Sequence, residues 1–151
     1  MTSPGDETLV RVFVGNRSNG KPRFETLWVE GRPDGLYRLV RSPLMALGVA
    51  RDDVFELDSE GTITAVVEPG GYTAVQLVSV EPFTDAMLGR LIDLARRLGG
   101  TMDAHDDVMA ALSVPKSVQM AELNKAVAGY EAKYPVDGWW TGSLEPLVTR
   151  S

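Results

Sequence analysis

The fold of this chain is decided by residues 72–100, which read YTAVQLVSVEPFTDAMLGRLIDLARRLGG. Tyr72–Val80 is apolar and β-branched, which predicts a strand. Thr84 is suited to cap a helix, and Gly99-Gly100 is typical of a helix C-terminus. Between them, apolar residues recur at helical spacing, at Leu88, Leu91, Ile92, Ala95 and Leu98. This stretch therefore predicts one strand followed by one amphipathic helix.

The same order of elements is repeated in the residues that follow. Asp107–Val114 is a second apolar run, Ser117 is the expected cap of a second helix, and Pro135 is expected to stop it. The apolar positions of this helix are Met120, Leu123, Val127, Tyr130 and Tyr134. Strand, helix, strand, helix predicts an α+β sandwich, with a βαβα (ferredoxin-like) second half in which helices cover one face of a sheet.

The first half of the chain consists of short apolar runs separated by turn signals. The expected strands are Leu9–Val14, Phe24–Glu30, Leu36–Val40, Phe55–Asp58 and Thr62–Val67, and Pro33-Asp34-Gly35 is a specific turn signal. Short strands joined by tight turns predict a small, strongly bent antiparallel sheet or partial barrel. Residues 42–49 are apolar without a clear period. We expect a buried crossover with a short turn of helix there, or alternatively the wall or lid of a pocket.

The length of 151 residues suggests one domain. We expect a disordered N-terminus at residues 1–6, a single α+β domain over residues 7–146, and a tail at residues 147–151. The strand-rich half spans residues 7–80 and the βαβα half spans residues 72–142. No linker separates the two halves, which predicts one shared core.

Composition and charge exclude several classes of function. The chain has no cysteine, which excludes disulfides, thiolate nucleophiles and sulfur-ligated zinc. Residues 1–80 carry 8 basic and 11 acidic side chains and residues 81–151 carry 7 and 10, so the net charge of −6 is spread evenly. We expect no nucleic-acid partner, no membrane span and no secretory leader. The expectation is a cytoplasmic protein, a monomer or weak homodimer, that uses no cofactor.

Few residue patterns point to chemistry. There is no glycine-rich phosphate loop and no nucleophilic serine elbow. The only histidine, His105, lies among Asp103, Asp106 and Asp107, but without the spacing of a calcium loop, so we expect no metal site there.

Two further pairs of residues are conspicuous. Glu30 and Arg38 flank a predicted hairpin, where they are expected to form an ion pair or else to line a cleft. Trp139 and Trp140 are adjacent, and in a strand one indole should enter the core while the other faces outward. The alternative is that both indoles pack under the C-terminal tail.

Several short motifs follow one another in a characteristic order between Phe24 and Trp140. They are Leu27-Trp28-Val29-Glu30, Asp34-Gly35-Leu36-Tyr37-Arg38-Leu39, Ser42-Pro43-Leu44, Gly48-Val49, Asp53-Val54, Gly99-Gly100, Asp103, Val114-Pro115 and Trp139-Trp140. This pattern resembles an uncharacterised bacterial family, the domain of unknown function DUF4265. Members often have an aromatic residue where this chain has Leu44-Met45, and a glutamate where it has Asp103. The resemblance implies no established reaction, although the family's small members look like accessory proteins encoded beside bacterial toxins.

Three functions are compatible with these observations, in decreasing order of support. The first is a non-enzymatic protein that binds a basic partner, in its sharpest form an immunity protein or antitoxin that blocks a toxin, through Asp103, Asp106, Asp107, Trp139 and Trp140. The second is a small-molecule sensor whose pocket contains Glu30, Tyr37, Arg38 and Leu44, with Arg38 or Arg41 holding an anion. The third is a hydrolase or isomerase with Glu30 or Asp103 as the base, which requires a raised carboxyl pKa in a cleft.

Overall fold

A computed structural model describes residues 6–141 of the chain. Apart from Asp6, the N-terminus that was expected to be disordered lies outside the described residues, as do the tail and the predicted domain end at residue 146. The elements are β1 (Glu7–Asn16), β2 (Pro22–Gly31), β3 (Tyr37–Leu39), β4 (Val54–Leu57), β5 (Ile63–Glu68), β6 (Tyr72–Ser79), α1 (Asp85–Arg97), β7 (Thr101–His105), β8 (Met109–Pro115), α2 (Met120–Glu131) and β9 (Val136–Thr141).

The first five strands form sheet 1, an antiparallel sheet in which the strands lie side by side in their sequence order. Val10 and Val12 of β1 face the core, and so do Leu27 and Val29 of β2. The N–H of Phe13 donates to the carbonyl of Gly61 at 2.9 Å, which brings the turn between β4 and β5 back onto β1. The strands predicted for the first half are confirmed. They could be predicted because glycine and proline turns delimit them.

The remaining strands form sheet 2, in the order β7-β8-β6-β9, and every neighbouring pair is antiparallel. The predicted βαβα order is incomplete, because Thr101–His105 is a strand and so is Val136–Thr141. The first of these contains an aspartate and a histidine, and the sequence analysis did not predict it as a strand. The described part of the chain is thus an α+β structure with two antiparallel sheets and two helices.

The start of α1 agrees with the sequence prediction, and its buried face differs in part. The N–H of Met87 donates to the hydroxyl of Thr84 at 3.2 Å, which confirms the predicted cap. Met87 and Leu94 are buried, whereas Ile92, expected in the apolar stripe, is exposed. The predicted and the observed buried residues of α1 both recur at helical spacing. Which of them are buried depends on how the helix packs on the sheet.

The start of α2 was predicted too early. The helix begins at Met120 with Gln119 at its N-cap, two residues after the position expected from Ser117 as the cap. The N–H of Val118 instead donates to the carbonyl of Pro115 at 3.0 Å, so Ser117 lies within a tight turn. Leu123, Val127 and Tyr130 form the buried face, as their spacing indicated.

The buried apolar side chains form two clusters instead of the one shared core that was expected. One cluster lies between sheet 2 and the helices and includes Leu77, Leu91 and Leu112. The other lies within sheet 1 and includes Leu39 and Phe55. The central part of the opposite face of β6 and β8 is also fully buried, but it carries small and polar residues, namely Ala74, Gln76, Ala111 and Ser113. A polar layer therefore separates the two clusters.

Candidate functional site

The segment between β3 and β4 joins the two sheets and is held from both sides by side chains. Glu25 on β2 accepts hydrogen bonds from the backbone N–H groups of Leu44–Ala46 at 2.7–3.0 Å. Gln76 on β6 donates to the carbonyls of Pro43 and Ala46, each at 3.0 Å. The predicted crossover is present, but residues 42–49, all of them described, contain no turn of helix. Side chains satisfy the backbone groups that a helix would have paired.

Asp103 is the centre of the second connection between the sheets. One carboxylate oxygen accepts from the N–H of Ser42 at 2.8 Å and from the hydroxyl of Ser113 at 2.5 Å. The other accepts from the hydroxyl of Thr101 at 2.6 Å and from the guanidinium of Arg51 at 3.1 Å. With four donors around it, this carboxylate is a structural junction, which we call the Asp103 junction.

The three aspartates that were grouped in the sequence analysis have different environments. The side chain of Asp103 is only 2% exposed, so its predicted place on an exposed acidic surface is wrong. The carboxylate of Asp106 accepts the N–H groups of Val108 and Met109 at 2.9 and 2.6 Å and shapes the turn between β7 and β8. Asp107 lies exposed on the same turn. A bulge in β7 accompanies the inward placement of Asp103.

Glu30 and Arg38 form the predicted ion pair across β2 and β3, where they are directly opposite each other. The guanidinium bonds both carboxylate oxygens of Glu30 at 2.7–2.9 Å, and it also contacts Asp52. The hydrogen bonds from Arg38 lower the pKa of Glu30 below its usual value, and the same bonds raise the pKa of Arg38. The donors of Arg38 are thus engaged by two carboxylates.

The carboxyl group of Asp53 is buried beside this ion pair. Burial raises its pKa, while hydrogen bonds from the N–H groups of Gly70 and Ala50, at 2.7 and 2.9 Å, act in the opposite direction. A side chain at Gly70 would place its Cβ 2.3 Å from the backbone carbon of Asp52, so only glycine fits this close approach. Asp53 therefore fixes the turn that leads from β5 into β6.

The ligand pocket predicted from Glu30, Tyr37, Arg38 and Leu44 is not assembled as one cavity. Arg38 is occupied by carboxylates, and the backbone N–H of Leu44 is bound by Glu25. Tyr37 packs with its ring centroid 6.0 Å from that of Phe55 and borders a separate shallow depression with Thr8 and Gly31. Arg41, the alternative anion-binding residue, lies over the ring of Trp28 at 5.8 Å.

The two adjacent tryptophans occupy opposite faces of β9, as predicted, but both are partly buried. Trp139 packs against the cluster beneath the helices. Trp140 lies on the other face and donates from Nε1 to the side-chain oxygen of Gln76 at 2.5 Å. The outward tryptophan expected from this pair is therefore held by the buried polar layer.

The exposed tryptophan of the described chain is Trp28, which the sequence analysis did not select. It is 40% exposed, and its direct cross-strand partner Leu9 is 50% exposed. The same row continues with Phe13 and Phe24, whose rings meet edge to face at 6.0 Å. We call the surface formed by Leu9, Arg11, Phe13, Phe24, Trp28 and Arg41 the aromatic face. Its signal in the sequence was the apolar residue at several outward positions of β1 and β2, namely Leu9, Phe13, Phe24 and Trp28.

A second surface feature that the sequence analysis missed is a groove between α1 and α2, with a volume of about 570 Å³. It is lined by Arg90, Leu94, Arg97, Leu98, Glu122, Lys125, Ala126, Gly129 and Tyr130. The repeat of arginine at positions 90 and 97, two helical turns apart, was the available signal.

Neither a metal-binding cluster nor a membrane-spanning helix is present among residues 6–141. Within residues 6–141, no three histidine, cysteine, aspartate or glutamate side chains are grouped so that they could hold a metal ion. Neither helix in this range is long and apolar enough to cross a membrane.

A family model described as "Domain of unknown function (DUF4265)" matches residues 25–140. The chain belongs to DUF4265. The resemblance inferred from the short motifs is thereby confirmed. The range matched to DUF4265 begins at Glu25 and ends at Trp140, so it includes the side chains that join the two sheets.

This DUF4265 chain is also similar to a solved structure described as a "Novel crystal structure of a hypothetical protein from Neisseria gonorrhoeae". The two chains are 16% identical, with a TM-score of 0.67, and the similarity covers 95% of this chain and 98% of the other. At this identity the similarity concerns the fold alone. No curated protein sequence matches the chain significantly.

Proposed function

We propose that this DUF4265 protein is a non-enzymatic protein-binding domain that docks through the aromatic face. The observation that carries the proposal is the exposed pair Leu9 and Trp28, which lie directly opposite each other on β1 and β2. The other side of the same two strands is buried in the core of sheet 1. Apolar residues at the outward positions therefore make no contribution to that core.

The residue types of the aromatic face are those that dominate protein interfaces. Trp, Phe and Arg are enriched there, and a few such residues supply most of the binding energy. The guanidinium of Arg11 lies 4.3 Å from the ring centroid of Phe24, and Arg41 lies over Trp28. Stacking restricts these long side chains before any partner arrives, so less conformational entropy is lost on binding.

The net charge supports a partner with a basic surface. A charge of −6 steers cationic partners toward the chain at low ionic strength. The exposed Asp107 and Asp106, on the turn between β7 and β8, contribute to this field. In its sharpest form the proposal is an immunity or antitoxin role in the cytoplasm, in which the bound partner is a bacterial toxin.

The environments of the two suggested bases favour binding over catalysis. A general base needs a pKa near the working pH, yet Arg38 lowers the pKa of Glu30. Asp103 has donors on both oxygens and is buried in the junction between the sheets. Neither carboxylate is free to reach a substrate.

We further propose that the second half of the chain is a ferredoxin-like unit. Support comes from the order β6-α1-β7-β8-α2-β9 and from the strand order β7-β8-β6-β9. In this interpretation sheet 1 is an addition to the ferredoxin-like unit, and the segment between β3 and β4 covers the face of sheet 2 that the helices leave free.

The experiment is a pull-down from the native cell lysate at low and high salt, analysed by mass spectrometry. The bait proteins are the wild type, a double variant with Leu9→Ala and Trp28→Ala, and a matched control with Val67→Ala. Val67 is 46% exposed and lies on β5, the opposite edge strand of the same sheet. We expect one stoichiometric basic partner that the wild type and the control retain and the double variant loses.

The expected loss of affinity for the partner distinguishes the aromatic face from the rest of the protein surface. Truncating a central aromatic anchor costs about 2 kcal/mol or more, which is roughly thirtyfold in affinity. Equal capture of the partner by the double variant and the control would contradict the proposal, as would a partner whose binding is insensitive to salt. Inhibition of the captured partner's activity by the wild type would identify the immunity-type function.

A further inference from the structure

The groove between α1 and α2 is a positively charged site on an acidic protein. Arg90 and Arg97 project from α1 and Lys125 projects from α2, while Glu122 is the single acidic lining residue. The chain as a whole carries a net charge of −6, so a local excess of positive charge is contrary to its average. We propose that this groove binds a small organic anion, whose carboxylate or phosphate is held by the three cations and whose apolar body lies on the helices.

The three cations are available to a ligand. Among residues 6–141, none of them lies within 4.0 Å of a carboxylate, although the arginines at positions 32, 38 and 51 each form such a pair. Arginine binds carboxylate and phosphate through paired hydrogen bonds, which lysine supplements as a point charge. Glu122 is itself engaged, because its carboxylate accepts the N–H of Gln119 at 3.3 Å.

Tyr130 is a second, independent indication that the groove is a binding site. Its side chain lines the groove, and its hydroxyl is buried without a hydrogen-bond partner among the described residues. A buried polar group that lacks a partner costs free energy, and a ligand oxygen would relieve that cost. Burial raises the pKa of Tyr130, with a smaller effect from Tyr134, so the hydroxyl remains protonated and able to donate.

The dimensions and the lining define the class of ligand. A volume of about 570 Å³ lies within the range of roughly 300–1,000 Å³ that is usual for small-molecule sites. Leu94, Leu98 and Ala126 provide the apolar surface, and the charged residues belong to exposed helix positions around it. A ligand that joins one anionic group to an apolar body of metabolite size matches both features.

The proposal is tested with the fluorescent probe 8-anilinonaphthalene-1-sulfonate, which carries one anionic group on an apolar body. We expect saturable binding of one probe to each wild-type chain. The double variant Arg90→Gln with Arg97→Gln should bind about tenfold or more weakly, because it loses charge-assisted hydrogen bonds. Arg96→Gln is the matched control, since Arg96 is an exposed neighbour on α1 that does not line the groove. Tyr130→Phe removes only the hydroxyl and should also weaken binding.

Competition identifies the anionic group and separates charge from apolar contact. Decanoate and decyl phosphate share an apolar body, and displacement of the probe by one or both assigns carboxylate, phosphate or both as the ligand chemistry. Decanol, which has the same body without charge, should not displace it. Absence of saturable binding, equal affinities for the double variant and the Arg96→Gln control, or displacement by decanol as effective as by decanoate would each overturn the proposal. Circular dichroism verifies that every variant is folded, since the probe also binds loosely packed chains.

Discussion

Replacing Asp103 with alanine removes the acceptor at the centre of the Asp103 junction. Four donors lose their partner at once, among them the backbone N–H of Ser42 and the guanidinium of Arg51. The hydroxyl of Ser113 retains a neighbour, because it also lies 2.6 Å from the hydroxyl of Ser42. We therefore expect the variant to fold with a markedly lower free energy of unfolding.

The magnitude follows from the burial of the two charged partners. Breaking a buried ion pair by removing one partner costs about 3–5 kcal/mol. The Arg51 side chain is 34% exposed, so water can replace part of the interaction that it loses with Asp103. The expected decrease in the free energy of unfolding is therefore near the lower limit, at about 3 kcal/mol. For a chain of this size, that cost corresponds to a fall in Tm of about 6–12 °C.

Urea unfolding monitored by circular dichroism measures this change, and a thermal scan provides Tm. The matched control is Asp107→Ala, since Asp107 is exposed and its side chain has no hydrogen-bond partner in the described part of the chain. The control should remain within about 0.5 kcal/mol of the wild type. If the Asp103→Ala variant is as stable as the control, the junction does not hold the sheets together and the reasoning fails.

Three other substitutions test separate parts of the structure. Glu25→Gln should lower the hydrogen-exchange protection of the Leu44–Ala46 amides, because a neutral amide is a weaker acceptor than the carboxylate; unchanged protection would contradict the role of Glu25. Because Arg38 lowers the pKa of Glu30, the ion pair between them stabilises the fold fully above the pKa of about 4.3 that Glu30 has in the unfolded chain. This stabilisation is lost as the pH falls through the pKa that Glu30 has in the folded protein. Glu30→Gln should therefore lose at most about 1 kcal/mol at neutral pH and little in acid, as urea unfolding over a pH series would measure; a loss independent of pH would refute this. Trp140→Phe removes a donor to a buried amide and should cost about 1 kcal/mol in the same assay, whereas wild-type stability would show that the bond is dispensable.

Much of the local structure could be predicted because its causes lie within a few residues. The turn at Pro33-Asp34-Gly35 delimits a hairpin, and a hairpin of known length places Glu30 opposite Arg38. The cap at Thr84 likewise depends on an N–H only three residues away. The membership in DUF4265 could also be inferred, because short motifs keep their order along the chain.

The candidate site was harder to predict because exposure depends on distant segments. Trp28 and Trp140 are both tryptophans in strands, yet one lies on the open face of sheet 1 and the other bonds to the buried Gln76. Tyr72–Val80 does not alternate between apolar and polar residues, which is typical of a strand buried on both faces. The sequence analysis expected a covering layer of helices on one face only. The layer on the other face is the segment after β3, more than 30 residues earlier in the chain.

The sequence by itself determined the strands of the first half, the amphipathic helices, the Glu30–Arg38 pair and the family, since each depends on local spacing or on motif order. Only the tertiary structure decided that Asp103 is buried, that the polar layer divides two cores, and that Arg90, Arg97 and Lys125 surround one groove. The physical reason is that each of these properties depends on the contact between two segments that are distant in the sequence. Asp103 meets Ser42 across 61 positions of the chain, and a side chain's own neighbours in sequence do not specify which surface will cover it.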